Sequence, residues 1–300
     1  MKKEKLFIFL VFTLTTIAPL VFAKDVVHVV ASTPDLAALA QAVGGDLVKA
    51  ESLIKGTQDP HSIEVLPSYM VKLRNADVFL IIGMDLDQWA FPLRDGSRNA
   101  RLLTVDCSKT INRLHVPTSK IDASYGDIHI YGNPHYWLDP QNGRIILETI
   151  LDALAQVSPE NAPVFQQNVR AYSQKLEEKI KEWQAAMAPY RGHRIIFYHD
   201  SWPYFQQRFG LEIVDFIEPK PGIVPSPSHT ARLLEEVGQQ QIKVIAMEPF
   251  YDKRVPDLIS RQTGAHVVVV APSVGSVKGV DDYIQLFDYN VKSLVDAFSD

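Results

Sequence analysis

The chain has 300 residues, a formal net charge of −5 without long blocks of one sign, and a single cysteine, Cys107. One thiol excludes an internal disulfide framework, and the lack of a basic stripe argues against a nucleic-acid partner. At roughly 150 residues per domain, the length suggests two domains, each able to hold a core.

The chain opens with MKKEKLFIFLVFTLTTIAPLVFAKD. Lys2, Lys3 and Lys5 precede an apolar run from Leu6 to Phe22 that Pro19 interrupts, and Val21-Phe22-Ala23 reads as a small-x-small cleavage site. This pattern predicts a secretory signal peptide, cut after Ala23. The rival reading is a membrane anchor, but the run is short for a span and holds threonines and a proline. Lys24 rather than a cysteine follows the cleavage point, so the expected product is an exported protein without a lipid.

VVHVVAST (26–33) predicts a strand leading into a helix, with Thr33 as cap, Pro34 at the first helical position and Gly44-Gly45 as the stop. A second helix with Ser68 as its cap precedes the buried-strand runs ADVFLIIG (76–83) and RLLTVD (101–106). Strands alternating with helices indicate βαβ units and a parallel sheet. The alternation stops near residue 157. From Pro159 to Pro189, Val169, Tyr172, Leu176, Ile180, Trp183 and Met187 recur at helical steps, which predicts one helix about 46 Å long. Four more strand runs follow: RIIFYH (194–199), EIVDFIE (212–218), KVIAMEP (243–249) and HVVVVAP (266–272). The proline-rich loop EPKPGIVPSPS (218–228) lies among them. The expected fold is α/β, with two lobes that each carry a parallel sheet flanked by helices, joined by one long rigid linking helix. The boundaries are 24–157 for the first lobe, 158–190 for the linking helix and 191–300 for the second lobe.

Open parallel sheets bind ligands beyond the carboxyl ends of their strands, which makes the crevice between two such lobes the expected site. Three histidines stand in rigid or strand-end contexts: His61 in GTQDPHSIE, His135 in GNPHYWLDP and His199 in IIFYHDSWPYF. Proline precedes the first two and fixes the backbone there. Neutral imidazoles suit zinc, and such rings need a hydrogen-bond acceptor behind them; Asp59, Asp139 and Asp200 lie close in sequence. The spacings of 74 and 64 residues match no local metal motif, so the residues alone leave packed core histidines open as an alternative. Trp137, Trp202 and Tyr204 read as packing, Cys107 as buried filler, and His229 as part of a helix start. His28, His115, His193 and His266 read as structural or solvated.

DPHSIEVLPS (59–68), NPHYWLDP (133–140), FYHDSWPYFQQRFGL (197–211), EPKPGIVPSPSH (218–229) and AMEPFYD (246–252) carry a family resemblance. In that order and at those spacings, the chain from residue 24 resembles the periplasmic zinc/manganese-binding components of ABC importers, cluster A-I. The resemblance implies one metal between the lobes, with His61 and His135 from the first and His199 from the second. Members that prefer manganese often carry a carboxylate at the third position. Here it is His199, and three nitrogens favour zinc over manganese. The chain departs from the family at Ala271-Pro272, where many members place an aspartate ligand. Water, His129 from GDIHIYG (126–132), or a carboxylate of Asp59, Glu64 or Glu248 are the candidates for the fourth position. The implied role is capture of a divalent metal for a membrane ABC permease, by a non-enzymatic monomer with a periplasmic metallochaperone as accessory partner. A zinc-dependent hydrolase using an open three-histidine site is the alternative, and a metal-stabilised adhesin a third reading.

Overall fold

The computed structural model describes residues 26–118 and 129–299. The predicted signal peptide and residues 126–128 of GDIHIYG lie outside the described residues. The first lobe runs β1 (Val27–Ala31), α1 (Pro34–Gly44), β2 (Val48–Ser52), α2 (Pro67–Arg74), β3 (Val78–Ile81), α3 (Ala90–Gly96), β4 (Leu103–Asp106) and α4 (Pro140–Val157). After α5 (Ala162–Met187) come β5 (Arg194–Phe197), α6 (Pro203–Phe209), β6 (Glu212–Phe216), α7 (Pro227–Gln240), β7 (Val244–Met247), α8 (Arg254–Thr263), β8 (His266–Val269) and α9 (Tyr283–Ser299).

Each lobe is a four-stranded parallel sheet, ordered β2-β1-β3-β4 in the first and β6-β5-β7-β8 in the second. The two sheets thus share one topology. The central strands β3 (VFLI) and β7 (VIAM) are buried along their whole length, as continuous apolar runs in a parallel sheet should be. β2 has no such signature: VKAES alternates buried and outward residues at a sheet edge, and its Lys49 and Glu51 hide the strand from sequence reasoning. All the other predicted strands are present.

Two expected caps differ. Thr33 holds the N-cap position of α1 in extended backbone but makes no capping bond, and Pro34 alone sets the start. α2 begins at Pro67 with Leu66 in the cap position, which places Ser68 inside the first turn. The linking helix runs as expected, one unbroken helical stretch of 32 residues over 159–190. α5 has 26 residues, about 39 Å at 1.5 Å per residue, and tight 3₁₀ turns at 159–161 and 188–190 flank it.

α5 packs on α1 and α4 at one end and on α6 and α9 at the other. Its Trp183 donates Nε1–H to Asp288 of α9 at 2.8 Å and lies against Phe287. One apolar core therefore runs from the inner face of the first sheet, through Leu147, Phe165 and Leu176, to the inner face of the second. Smaller clusters around Phe79 and Ile245 cover the outer faces. Among the described residues no helix is long and apolar enough to cross a membrane.

Candidate metal centre

His61 lies on the irregular segment between β2 and α2. The Asp59 carboxylate accepts the His61 backbone N–H at 2.9 Å, and the Pro60 carbonyl accepts Trp89 Nε1–H at 3.1 Å, so the Asp-Pro-His turn is held at both ends. His135 leads into the 3₁₀ turn Tyr136–Leu138 just before α4. Both aromatics after it are buried and anchored: Tyr136 Oη–H donates to the Ile82 carbonyl at 2.8 Å and Trp137 Nε1–H to the Pro272 carbonyl at 2.9 Å. His199 stands two residues past the end of β5, at the carboxyl edge of the second sheet.

These three histidines, 74 and 64 residues apart in the chain, meet between the lobes. One ring nitrogen of each lies within 4.8 Å of the others, and the Nε2 atoms of His61 and His135 are 3.0 Å apart. Ring centroids are 5.1 Å apart for His61–His135 and His61–His199, and 5.5 Å for His135–His199. A tetrahedral zinc with Zn–N near 2.0–2.1 Å places its nitrogen ligands roughly 3.3 Å from one another, so the cluster is near the size such an ion needs.

Hydrogen bonding fixes which nitrogen is bare. Asn133 Nδ2–H donates to the Asp200 carbonyl at 2.7 Å, so Oδ1 is the Asn133 atom facing His135. An amide oxygen only accepts, hence His135 carries its proton on Nδ1, 2.9 Å away, and presents a bare Nε2. His199 Nδ1–H likewise donates to Glu218 Oε2 at 2.8 Å, which leaves its Nε2 free. His61 meets His135 through Nε2 at 3.0 Å.

The electrostatics separate the rings. Burial, reinforced by the neighbouring His61, His199 and His129, holds His135 well below the ordinary histidine value. Burial is the largest single influence on His199 and pulls it down, but the Glu218 hydrogen bond and the charges of Glu248, Glu218 and Asp59 together outweigh it, and His199 ends above that value.

The acceptors behind the rings are not the three aspartates expected. Asp139 caps α4 through Gln141 and forms a bidentate pair with Arg208 at 2.8 and 2.9 Å. Asp200 faces His115 at 3.4 Å, and Asp59 serves the backbone rather than the ring of His61. Asn133 and Glu218 take those places. Asn133 was within reach of sequence reasoning, because Asn-Pro-His repeats the Asp-Pro-His pattern. Glu218 was not: it follows β6, and only the pairing of β5 with β6 brings it beside His199.

The other predicted residues scatter. His129 stands beside the cluster, its ring 5.1 Å from His61 and 6.4 Å from His135. Glu64 is exposed. Glu248 is buried, accepts Trp202 Nε1–H at 2.8 Å, and burial raises it to about 7. Ala271 is fully buried and brings no oxygen side chain. A cavity of about 210 Å³, lined by His115, His129, Asn133, His199 and Asp200, opens beside the cluster. A much smaller pocket bounded by Asp35, Asp59, His61, His135 and Tyr251 closes the other side.

The family model of ZnuA, zinc-uptake complex component A periplasmic, matches residues 29–297. The manganese-binding lipoprotein MntA of Halalkalibacterium halodurans is 25% identical over 263 residues, which cover 86% of this chain and 83% of that protein. The high-affinity zinc uptake system protein ZnuA of Paracoccus denitrificans is 25% identical over 248 residues, 72% of this chain and 74% of its own. A crystal structure of ZnuA superposes with a TM-score of 0.80 at 23% identity, covering 91% of this chain and 99% of that one. A manganese-bound periplasmic metal-binding protein from Candidatus Liberibacter asiaticus does so at 0.75 and 22%, covering 90% and 98%. At such identities the superpositions speak to the fold. The family match spans nearly the whole chain, and on that ground the chain belongs to the ZnuA family of periplasmic zinc-uptake components.

Proposed function

We propose that this protein captures a zinc ion between its lobes, with His61, His135 and His199 as ligands, and delivers it to a membrane ABC permease. The observation that carries this is the meeting of three imidazoles, two of them held through Nδ1 by a hydrogen bond that leaves Nε2 for the metal. The nitrogen-only set supports zinc over manganese, which prefers oxygen. The fourth position goes to water or to His129, the side chain whose ring stands as close to His61 as those of His135 and His199 do. The lobes are 24–157 and 191–300, with 158–190 between them. Export with cleavage after Ala23 and no lipid, a monomeric state and loading by a periplasmic metallochaperone complete the reading. Membership in a solute-binding family removes the ground for the hydrolase alternative.

The test is titration calorimetry of the demetallated protein with zinc and with manganese. One zinc per chain is expected, bound more tightly than manganese, and His61→Ala, His135→Ala or His199→Ala should each weaken it strongly. His129→Ala should cost less than any of these. Absence of zinc binding to the folded, demetallated protein would overturn the assignment.

A further inference from the structure

Glu218 ends the EIVDFIE run and is almost fully buried, its side chain 10% exposed. A single oxygen, Oε2, takes two donors: His199 Nδ1–H at 2.8 Å and the backbone N–H of Gly222 at 3.3 Å. Gly222 belongs to a tight turn in which Ile223 N–H donates to the Lys220 carbonyl at 2.9 Å, and Gly222 itself holds a φ of +74° that only glycine adopts at little cost. The turn projects Ile223 and Val224, 45% and 83% exposed. Pro221, from the same turn, lines the cavity that His199 also lines. One carboxylate oxygen therefore links a metal-binding ring to a solvent-facing apolar tip.

We propose that Glu218 is a positioning residue that couples His199 to the turn 219–224, so that metal occupancy and the geometry of this turn form one equilibrium. The proposal rests on His199 being a ligand. A cation on Nε2 draws density from the ring and makes Nδ1–H a stronger donor, while the carboxylate makes the imidazole a better ligand. A metal that tightens the Glu218 bond holds the turn; by reciprocity, a contact that displaces the turn lowers metal affinity by the same factor.

The experiment uses the mature chain and two readouts: zinc affinity by chelator competition, and amide hydrogen exchange at residues 222–224 with and without zinc. Glu218→Ala should weaken zinc binding about 10- to 100-fold, the usual range for losing a partner of a ligating histidine. Glu218→Gln keeps an acceptor for Nδ1–H and should recover part of that loss. In the wild type, zinc should slow exchange at Gly222 and Ile223, and Glu218→Ala should abolish the difference. Gly222→Ala strains the turn while leaving the side chains of Glu218 and His199 unaltered, and should also weaken zinc binding in a protein that still melts cooperatively. Zinc affinity of Glu218→Ala within about twofold of wild type, where a supporting partner normally contributes tenfold or more, overturns the coupling. So does exchange at 222–224 that is indifferent to zinc. If His199→Ala binds zinc like wild type, the ligand assignment itself fails, an outcome separable from the first two.

Discussion

Acidification should weaken zinc capture, and His199 should dominate the loss. Under the proposed ligand set zinc needs three bare ring nitrogens, and each proton it displaces changes affinity by about tenfold, or roughly 1.36 kcal/mol, per pH unit. His135 contributes little, because burial and its imidazole neighbours hold it well below 6.5 and it is neutral before the metal arrives. His199 lies on the other side of that value: burial lowers it, the Glu218 hydrogen bond and the carboxylate charges around it together more than restore it, and below that raised value it carries a proton that the metal must expel. The sign follows. The metal-free protein binds more protons than the loaded one, so affinity rises with pH through the His199 value and then levels off. A group titrating at or above the ordinary histidine value removes at least about tenfold in affinity between roughly pH 7.5 and 5.5. Calorimetry in two buffers of different ionisation enthalpy reads both the affinity and the protons released per zinc. Glu218→Gln, which removes the carboxylate that lifts His199, should move the fall to lower pH. Affinity that stays flat over this range, or a Glu218→Gln profile displaced to higher pH, would refute the reasoning.

Asp35 accepts Ser273 Oγ–H and the Val274 N–H across the lobe boundary, and burial raises it to about 7. Its protonated form is the one the fold favours, so stability is greatest below the unfolded value near 3.9 and falls as pH rises through about 7, by something on the order of 4 kcal/mol. Asp35→Asn should flatten this dependence in chemical denaturation, and identical slopes for the two proteins would contradict it. Ala271→Asp buries a carboxylate in the core and should destabilise the metal-free protein by about 1–3 kcal/mol. Zinc should recover that loss if the new oxygen reaches the ion, and equal destabilisation with and without zinc in thermal melts would show that it does not. Lobe movement on metal release should be small, because α5 and α9 brace both lobes; scattering profiles of loaded and metal-free protein that require a wide hinge rotation would refute this.

The fold was legible because its strands are apolar runs between helix signals, and a parallel sheet buries both faces of its inner strands. β2 escaped because an edge strand needs only one buried face, and VKAES spends its other positions on Lys49 and Glu51. The three histidines were visible as Pro-His and strand-end residues, but their meeting depends on strand order and lobe packing, which local patterns do not encode. The same limit explains the acceptors. Sequence proximity pointed to Asp139 and Asp200, whereas tertiary pairing assigns Asp139 to Arg208 and brings Glu218 to His199 from a neighbouring strand. Propensity reasoning failed at Thr33 and Ser68, where a proline at the helix start had already fixed the backbone that a cap would otherwise define.

Ala271 makes sense once the end of β8 is read as mortar rather than as a ligand. Its backbone is clamped on both sides by one side chain: the Ala271 N–H donates to Asn290 Oδ1 at 2.7 Å, and Asn290 Nδ2–H donates to the Ala271 carbonyl at 2.8 Å. The next carbonyl, of Pro272, takes Trp137 from the turn that carries His135, and Ser273 and Val274 take Asp35 from α1. Four consecutive residues of the second lobe thus hold the strand end in place and bind it to the first lobe. A carboxylate at 271 would have to be desolvated in the metal-free state within this fully buried segment, a cost that an alanine methyl avoids. Under the proposed ligand set, alanine here leaves imidazoles as the protein donors, and a set without a hard oxygen ligand favours zinc over manganese. Alanine at 271 therefore suits both lobe cohesion and the proposed metal choice.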